Sequence, residues 1–224
     1  MGRWAAIFDW DGVILDSRAA HAASWERLAA EIDRPLPPDH MERGFGRRNA
    51  SIIPEILHWS EDPAEIERLG ERKEALYRKI LAGGTIEPLP GVRDLLQGLQ
   101  DAEVPCAVGS STARANIEVA MKAMELEPFF AAIASGEDVE NGKPAPDVFL
   151  LAAERLGVEP ARCIVLEDAP FGVEAALAGG MLSIGVATDG DPDKLSAAHR
   201  VVASPAALSV HALEALLRAQ NRLP

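Results

Sequence analysis

The stretch WAAIFDWDGVILDS, Trp4–Ser17, is an apolar run that ends abruptly in Asp9-Trp10-Asp11-Gly12. A run this short, closed by polar and turn residues, predicts a buried strand over Trp4–Phe8. If the strand stays extended to its end, Asp9 and Asp11 project to one side and Trp10 to the other. Two carboxylates so close repel one another unless a cation or a shared proton relieves them. Asp9 as nucleophile and Asp11 as general acid and base, with Mg²⁺ beside them, is one chemistry that fits. An acidic turn is the other reading. A calcium loop is excluded, because its fifth and twelfth positions must offer oxygen and here they are Val13 and Ala20.

Working outward, three further runs have the same character: Cys106–Val108, Cys163–Leu166 and Leu182–Val186. Helical stripes lie between them, with Val92, Leu95, Leu96 and Leu99 in one and Phe149, Ala152, Ala153 and Leu156 in another. Strand alternating with helix predicts an α/β fold, a doubly wound and mainly parallel sheet covered on both faces. Ligands gather at the carboxyl ends of such strands, where each polar cluster falls. Residues 17–86 break the alternation. Trp25, Leu28, Ala29 and Ile32 form a helical stripe, Ile52, Ile53, Ile56 and Leu57 another, and a third helix is expected over Pro63 to about Ala82. The expected organisation is a core domain of residues 1–16 and 87–224, with an all-helical cap inserted at 17–86.

Composition excludes several classes. Acidic residues outnumber basic ones 35 to 22, a net charge of −13, which argues against nucleic acid as a partner because phosphate backbones are held by Lys and Arg. Apolar runs fall far short of the roughly 18 residues of a membrane span. The charged start, MGRWAAIFDWDG, lacks the apolar core of a secretory signal. Cys106 and Cys163, both in apolar runs, are expected as buried thiols, and the expected location is the cytoplasm. No feature sets the oligomeric state; a monomer is the expectation.

Three more clusters carry candidate chemistry. Glu167-Asp168 ends the third run as a hard-cation site or a helix cap. Gly109-Ser110-Ser111-Thr112 offers hydroxyls and backbone N–H groups where a helix begins, which suits phosphate. Lys143 precedes Pro144 and so stays out of helix.

Taken in order, Asp9-x-Asp11-Gly12, Ser110, Lys143-Pro144 and Glu167-Asp168 resemble the four signature motifs of the haloacid dehalogenase superfamily, with its Rossmann-like core. The helical insert resembles that superfamily's first cap class, and the chain looks similar to the β-phosphoglucomutase-like phosphatase group. The resemblance implies that Asp9 forms an aspartyl-phosphate and that Asp11 protonates the leaving oxygen and then activates water. It implies that Ser110 and the Ser111 N–H hold the phosphoryl group while Lys143 balances its charge. Asp9, Asp11, Glu167 and Asp168 would hold Mg²⁺. His21, Arg47, Arg48 and Lys73 of the cap would face the substrate, one arginine gripping a second anionic group. The implied function is hydrolysis of a small soluble phosphate ester. A sugar-phosphate mutase is the same-chemistry alternative, and a non-catalytic phosphometabolite-binding protein a remote one. Asp11 separates the chain from the phosphonate-cleaving branch and from true dehalogenases, whereas Arg114 stands where mutase relatives carry an amide.

Overall fold

In the computed structural model, which describes residues 4–223, the alternation closes into a parallel sheet ordered β3-β2-β1-β4-β5-β6. Its strands are β1 (Ala5–Phe8), β2 (Cys106–Gly109), β3 (Ala132–Ala134), β4 (Cys163–Glu167), β5 (Leu182–Val186) and β6 (Arg200–Val202). Residues 1–3 and 224, the outermost residues of the expected core, lie outside the described residues. Between β1 and β2 come α1 (Arg18–Glu31), α2 (His40–Gly44), α3 (Asn49–Ile52) and α4 (Pro63–Ala82), then α5 (Val92–Asp101). Downstream lie α6 (Arg114–Ala123), α7 (Asp147–Leu156), α8 (Pro170–Ala178) and α9 (Val210–Ala219).

Strand periodicity divides the core. Ala6, Phe8, Cys106, Val108, Ile164 and Leu166 pack with α5, α6 and α9 on one face, while Ala5, Ile7, Ala107, Cys163 and Val165 pack with α7 and α8 on the other. Phe8 is level with Val108 of β2 and Leu166 of β4, so Asp9, Gly109 and Glu167 leave the sheet at one height. β1 sits where the strand order reverses, the crevice at which open parallel sheets bind ligands.

Among the described residues, 18–82 contain no strand. Trp25, Leu28, Ile52, Ile53, Ile56, Trp59, Leu69 and Leu76 give these helices a hydrophobic cluster of their own. Helix α4 starts where its capping chemistry dictates: the Asp62 carboxylate accepts from Ala64 N–H and Pro63 fills the first turn. The stripe Ile52–Leu57 is less regular than its spacing predicts. Pro54 has no N–H to give, and Ile53–Leu57 winds as a π-helical turn.

The sequence reading missed β3 and β6. Both are three-residue edge strands, and β6 begins with the exposed Arg200, so neither presents a sustained apolar run. Cys106 and Cys163 are free and buried, and burial pushes both thiols up to about 12. Among the described residues, no helix is long and apolar enough to cross a membrane.

Candidate active site

The strand ends at Phe8 and the chain bends at Trp10, whose side chain is fully buried in the core, while Asp9 and Asp11 line a cavity. Asp9 is buried beside Lys143, whose Nζ stands 2.9 Å from Asp9 Oδ1 and 2.7 Å from Glu167 Oε2. Burial alone would pull the Lys143 ammonium down, but Asp9 and Glu167 on either side push it up on balance, so it stays charged. Burial raises the Asp9 carboxyl against the attraction of Lys143. Burial and then the Asp9 charge raise Glu167 to about 7, and burial with repulsion from Glu167 and Asp9 carries Asp168 well above the carboxylate range.

Three acids against Lys143 and the partly exposed Arg18 leave this corner short of positive charge. Oxygens of Asp9, Glu167 and Asp168 lie within 4.8 Å of one another, and Asp168 Oδ1 is buried without a hydrogen-bond partner. Two glycines make room for the cluster. A Cβ on Gly12, at φ +75°, would lie 1.9 Å from Asp168 Oδ2, and one on Gly172 would lie 2.0 Å from Glu167 Oε2. The donor set is hard oxygen, buried and anionic, and it fits a divalent cation. Arg18 reaches Asp168 and Asp189 at 3.9 and 4.0 Å and lies over the Phe45 ring, a contact with no signal in the sequence.

Asp11 has different surroundings. Burial pushes it up, yet His21 and Thr112 outweigh that and bring it down to about 2. Thr112 Oγ1 donates to Asp11 Oδ2, and His21 Nε2 lies 3.3 Å from Asp11 Oδ1. Lys73 Nζ is 2.6 Å from His21 Nδ1. An ammonium has only protons to give, so Nδ1 accepts and the Nε2–H points at Asp11. His21 stacks on Tyr77 with centroids 4.2 Å apart, which fixes the ring plane. Lys73 is buried at 2 % exposure and also binds Glu74 at 2.9 Å. Glu74 in turn accepts from Asn49 and Asn116, tying α4 to α6. The sequence reading missed Glu74, Asn116 and the role of Thr112. Only Thr112 carried a signal, as the last hydroxyl of its loop.

The cavity measures about 610 Å³, and Ser110, Ser111, His21, Lys73, Arg47 and Arg48 all border it with Asp9 and Asp11. Ser110 is held by its N–H on Ala134 O at 3.0 Å, and its Oγ accepts from Thr112 N–H. The two arginines are placed otherwise than a grip on substrate would require. Arg47 pairs with Glu55 and lies near the Phe171 ring. Arg48 donates to Gly136 O at 3.2 Å, Val139 O at 3.0 Å and Glu140 O at 2.6 Å, all on the loop that leads to Lys143. Its guanidinium packs so closely that a Cβ on Gly142 would lie 2.6 Å from Arg48 Nε. Arg114 is turned away, onto Asp138 and Glu118.

A family model described as haloacid dehalogenase-like hydrolase matches residues 5–180, a span that includes all four clusters. The chain belongs to the haloacid dehalogenase-like hydrolases. Among relatives of this hydrolase is the chloroplastic 5-amino-6-(5-phospho-D-ribitylamino)uracil phosphatase of Arabidopsis thaliana, 36 % identical over 96 % of the chain. The chain spans 58 % of that relative's length. The fructose-1-phosphate phosphatase YqaB of Escherichia coli is 33 % identical over 80 % of the chain and 94 % of its own length. The crystal structure of β-phosphoglucomutase from Clostridium difficile superposes with a TM-score of 0.87 at 28 % identity, covering 98 % of this hydrolase and 99 % of that chain.

Proposed function

We propose that this hydrolase is a Mg²⁺-dependent phosphoric monoester hydrolase that acts on a small phosphometabolite through an aspartyl-phosphate on Asp9. The observation that carries the reading is the division of labour between two neighbouring acids: Asp9 lies against an ammonium, and Asp11 lies within reach of His21 and Thr112 on the cavity wall. Phosphoryl transfer is mainly positioning and charge stabilisation. Asp9 attacks phosphorus, an Asp9–phosphorus bond forms, and the bond from phosphorus to the leaving oxygen breaks. The Ser110 hydroxyl and the Ser111 N–H hold the phosphoryl oxygens, and Lys143 offsets their growing charge. Asp11 is ionised at neutral pH in the free protein. A bound phosphate dianion raises its proton affinity, which lets it carry the proton that the leaving oxygen needs. Once that proton is delivered, Asp11 takes another from the water that splits the aspartyl-phosphate. Asp9, Glu167, Asp168 and the Asp11 carbonyl would hold Mg²⁺, which supplies positive charge to the transferring group. Residues 17–86 serve as the cap on a core of 1–16 and 87–224, excluding bulk water and choosing the substrate.

The likeness to β-phosphoglucomutase keeps a mutase as the second reading, with a sugar-phosphate hydroxyl in place of water. Phosphate release from a panel of metabolite monophosphates, with Mg²⁺ and with chelator, tests the proposal. Mg²⁺-dependent release that Asp9→Asn abolishes is the expected result. Turnover unaffected by chelator, or more than about a tenth of it surviving Asp9→Asn, a barrier change under ~1.4 kcal/mol, would overturn it. Isomerised sugar phosphate without free phosphate would select the mutase.

A further inference from the structure

Arg18 opens α1, and its position runs against what the start of a helix prefers. The N-terminal turn of a helix carries partial positive charge and favours acids, yet this turn holds no acid and begins with a guanidinium. What holds Arg18 there lies outside the helix. Its Nη2 stands 3.9 Å from Asp168 Oδ2 and 4.0 Å from Asp189 Oδ2, and its Cζ lies 4.1 Å from the centroid of the Phe45 ring. The ring face backs the guanidinium from one side. Neither carboxylate is within the roughly 3 Å of a direct hydrogen bond, so the charge is shared between the two and locked to neither. The two acids differ in their surroundings. The Asp168 side chain is 2 % exposed with its Oδ1 unpartnered, whereas Asp189 is 25 % exposed and also meets Lys194 at 3.6 Å.

Resting on the reading of Asp9, Glu167 and Asp168 as a divalent-cation site, we infer that Arg18 sets the strength of that site. It is a counter-charge for Asp168 in the metal-free protein, it competes with Mg²⁺ for the same carboxylate, and Asp189 is its other partner. A guanidinium does not give up its proton in a protein, so its charge has to be repelled or drawn aside. A unit charge against a divalent one, across about two contact distances in a partly wet site, corresponds to about five- to tenfold in Kd. Arg18 therefore weakens metal binding and keeps the ion exchangeable, while Asp189 opposes it by drawing the guanidinium away. The metal-free state gains in return, because a buried carboxylate with a counter-charge costs less than one without. Arg18 and Phe45 belong to the helices and loops of residues 18–82, and the two acids to the loops after β4 and β5, so metal affinity depends on how these segments meet.

Calorimetric titration of Mg²⁺ into the full chain reads the affinity without turnover. Arg18→Gln should lower the Mg²⁺ Kd about fivefold or more. Asp189→Asn should raise it about threefold, since of its two acids the guanidinium then keeps Asp168. Arg18→Lys, which retains the charge, should restore most of the wild-type Kd. Thermal melts give a second reading. In chelator the Arg18→Gln midpoint should fall below that of wild type, and the rise on adding Mg²⁺ should be larger. An arginine that only holds the segments together would lower the midpoint and leave the Kd of Arg18→Gln unchanged or weaker. That result, or tighter binding in Asp189→Asn, would overturn the inference while the metal site stands. Wild-type protein that takes up no Mg²⁺ would instead overturn the metal site and the inference together.

Discussion

Replacing Arg48 by alanine distinguishes two tasks that the same residue type can perform. If the guanidinium gripped substrate, Arg48→Ala would raise KM for the natural ester and spare a generic aryl phosphate. Its contacts point elsewhere, to the carbonyls of Gly136, Val139 and Glu140, a few residues before Lys143. A hydrogen bond from a charged donor contributes about 1.5–3 kcal/mol when well sheltered. Two of these bonds are partly buried and the third is exposed, and waters replace part of what is lost. About 2 kcal/mol of lost anchoring is thus a reasonable sum, equivalent to roughly 30-fold if all of it is expressed in the placement of Lys143. The expected outcome is a fall in kcat for every ester, aryl phosphate included. Hydrogen exchange should become faster across residues 136–143 while the sheet core stays protected. Arg48→Lys should recover only part of the rate, because one ammonium cannot span three carbonyls. A selective rise in KM for the metabolite, with aryl phosphate turnover and loop exchange unchanged, would refute the anchoring argument and return Arg48 to the substrate.

Lys143→Met should lower kcat/KM by about a hundredfold or more, since it leaves Asp9 and the phosphoryl group without their buried counter-charge; steady-state kinetics at saturating Mg²⁺ check this, and a loss under about threefold would contradict it. Gly172→Ala forces a methyl group into the Glu167 carboxylate, so a thermal melt should show a loss of about 1–3 kcal/mol, and titration of Mg²⁺ should show weakened affinity. An unchanged midpoint for both would mean that the carboxylate has room to retreat. Asp138 lies outside the cleft and accepts from Arg114, Arg155 and the N–H and Oγ of Ser135. Burial raises it, but Arg155, Ser135 and Arg114 outweigh that and hold it well below the carboxylate range. Its folded pKa is depressed, so its contribution is complete above the unfolded value of about 4 and fades as pH falls through the folded value. With its side chain one-fifth exposed, Asp138→Asn should cost about 1–2 kcal/mol at pH 7 in urea unfolding. The deficit should shrink by pH 3, and a constant deficit from pH 7 to pH 3 would refute the pairing.

What the sequence disclosed depended on whether a role belongs to a side chain type or to a backbone. Asp9, Asp11, Glu167 and Asp168 were legible because acids that end apolar runs are conspicuous, and two-residue periodicity already separated Trp10 from its neighbours. Lys143 was legible through Pro144. The targets of Arg48 were not, because a carbonyl on residue 136, 139 or 140 has no signature in residue type. Helical spacing placed Lys73 among apolar residues but gave no hint that His21, 52 positions away, would stand within hydrogen-bond reach. The edge strands β3 and β6 escaped for a related reason: with one side open they need no continuous apolar run.

The position of β1 also imposes an order of events during synthesis. It lies inside the sheet and is made before both of its neighbours, β2 and β4, which begin only at Cys106 and Cys163. Both of its hydrogen-bonding edges therefore stay open while about a hundred further residues are translated, several seconds or more at ribosomal rates. Unpaired edges recruit foreign strands. The helices of residues 18–82 emerge in that interval and bury Trp25, Ile53, Ile56 and Leu69 among themselves, so they can compact before the sheet exists. Chemistry comes late in this sequence, because Glu167 and Asp168 complete the carboxylate cluster only after β4 has joined β1. A nascent chain stalled before that point would carry compacted helices beside a carboxylate cluster that is not yet assembled.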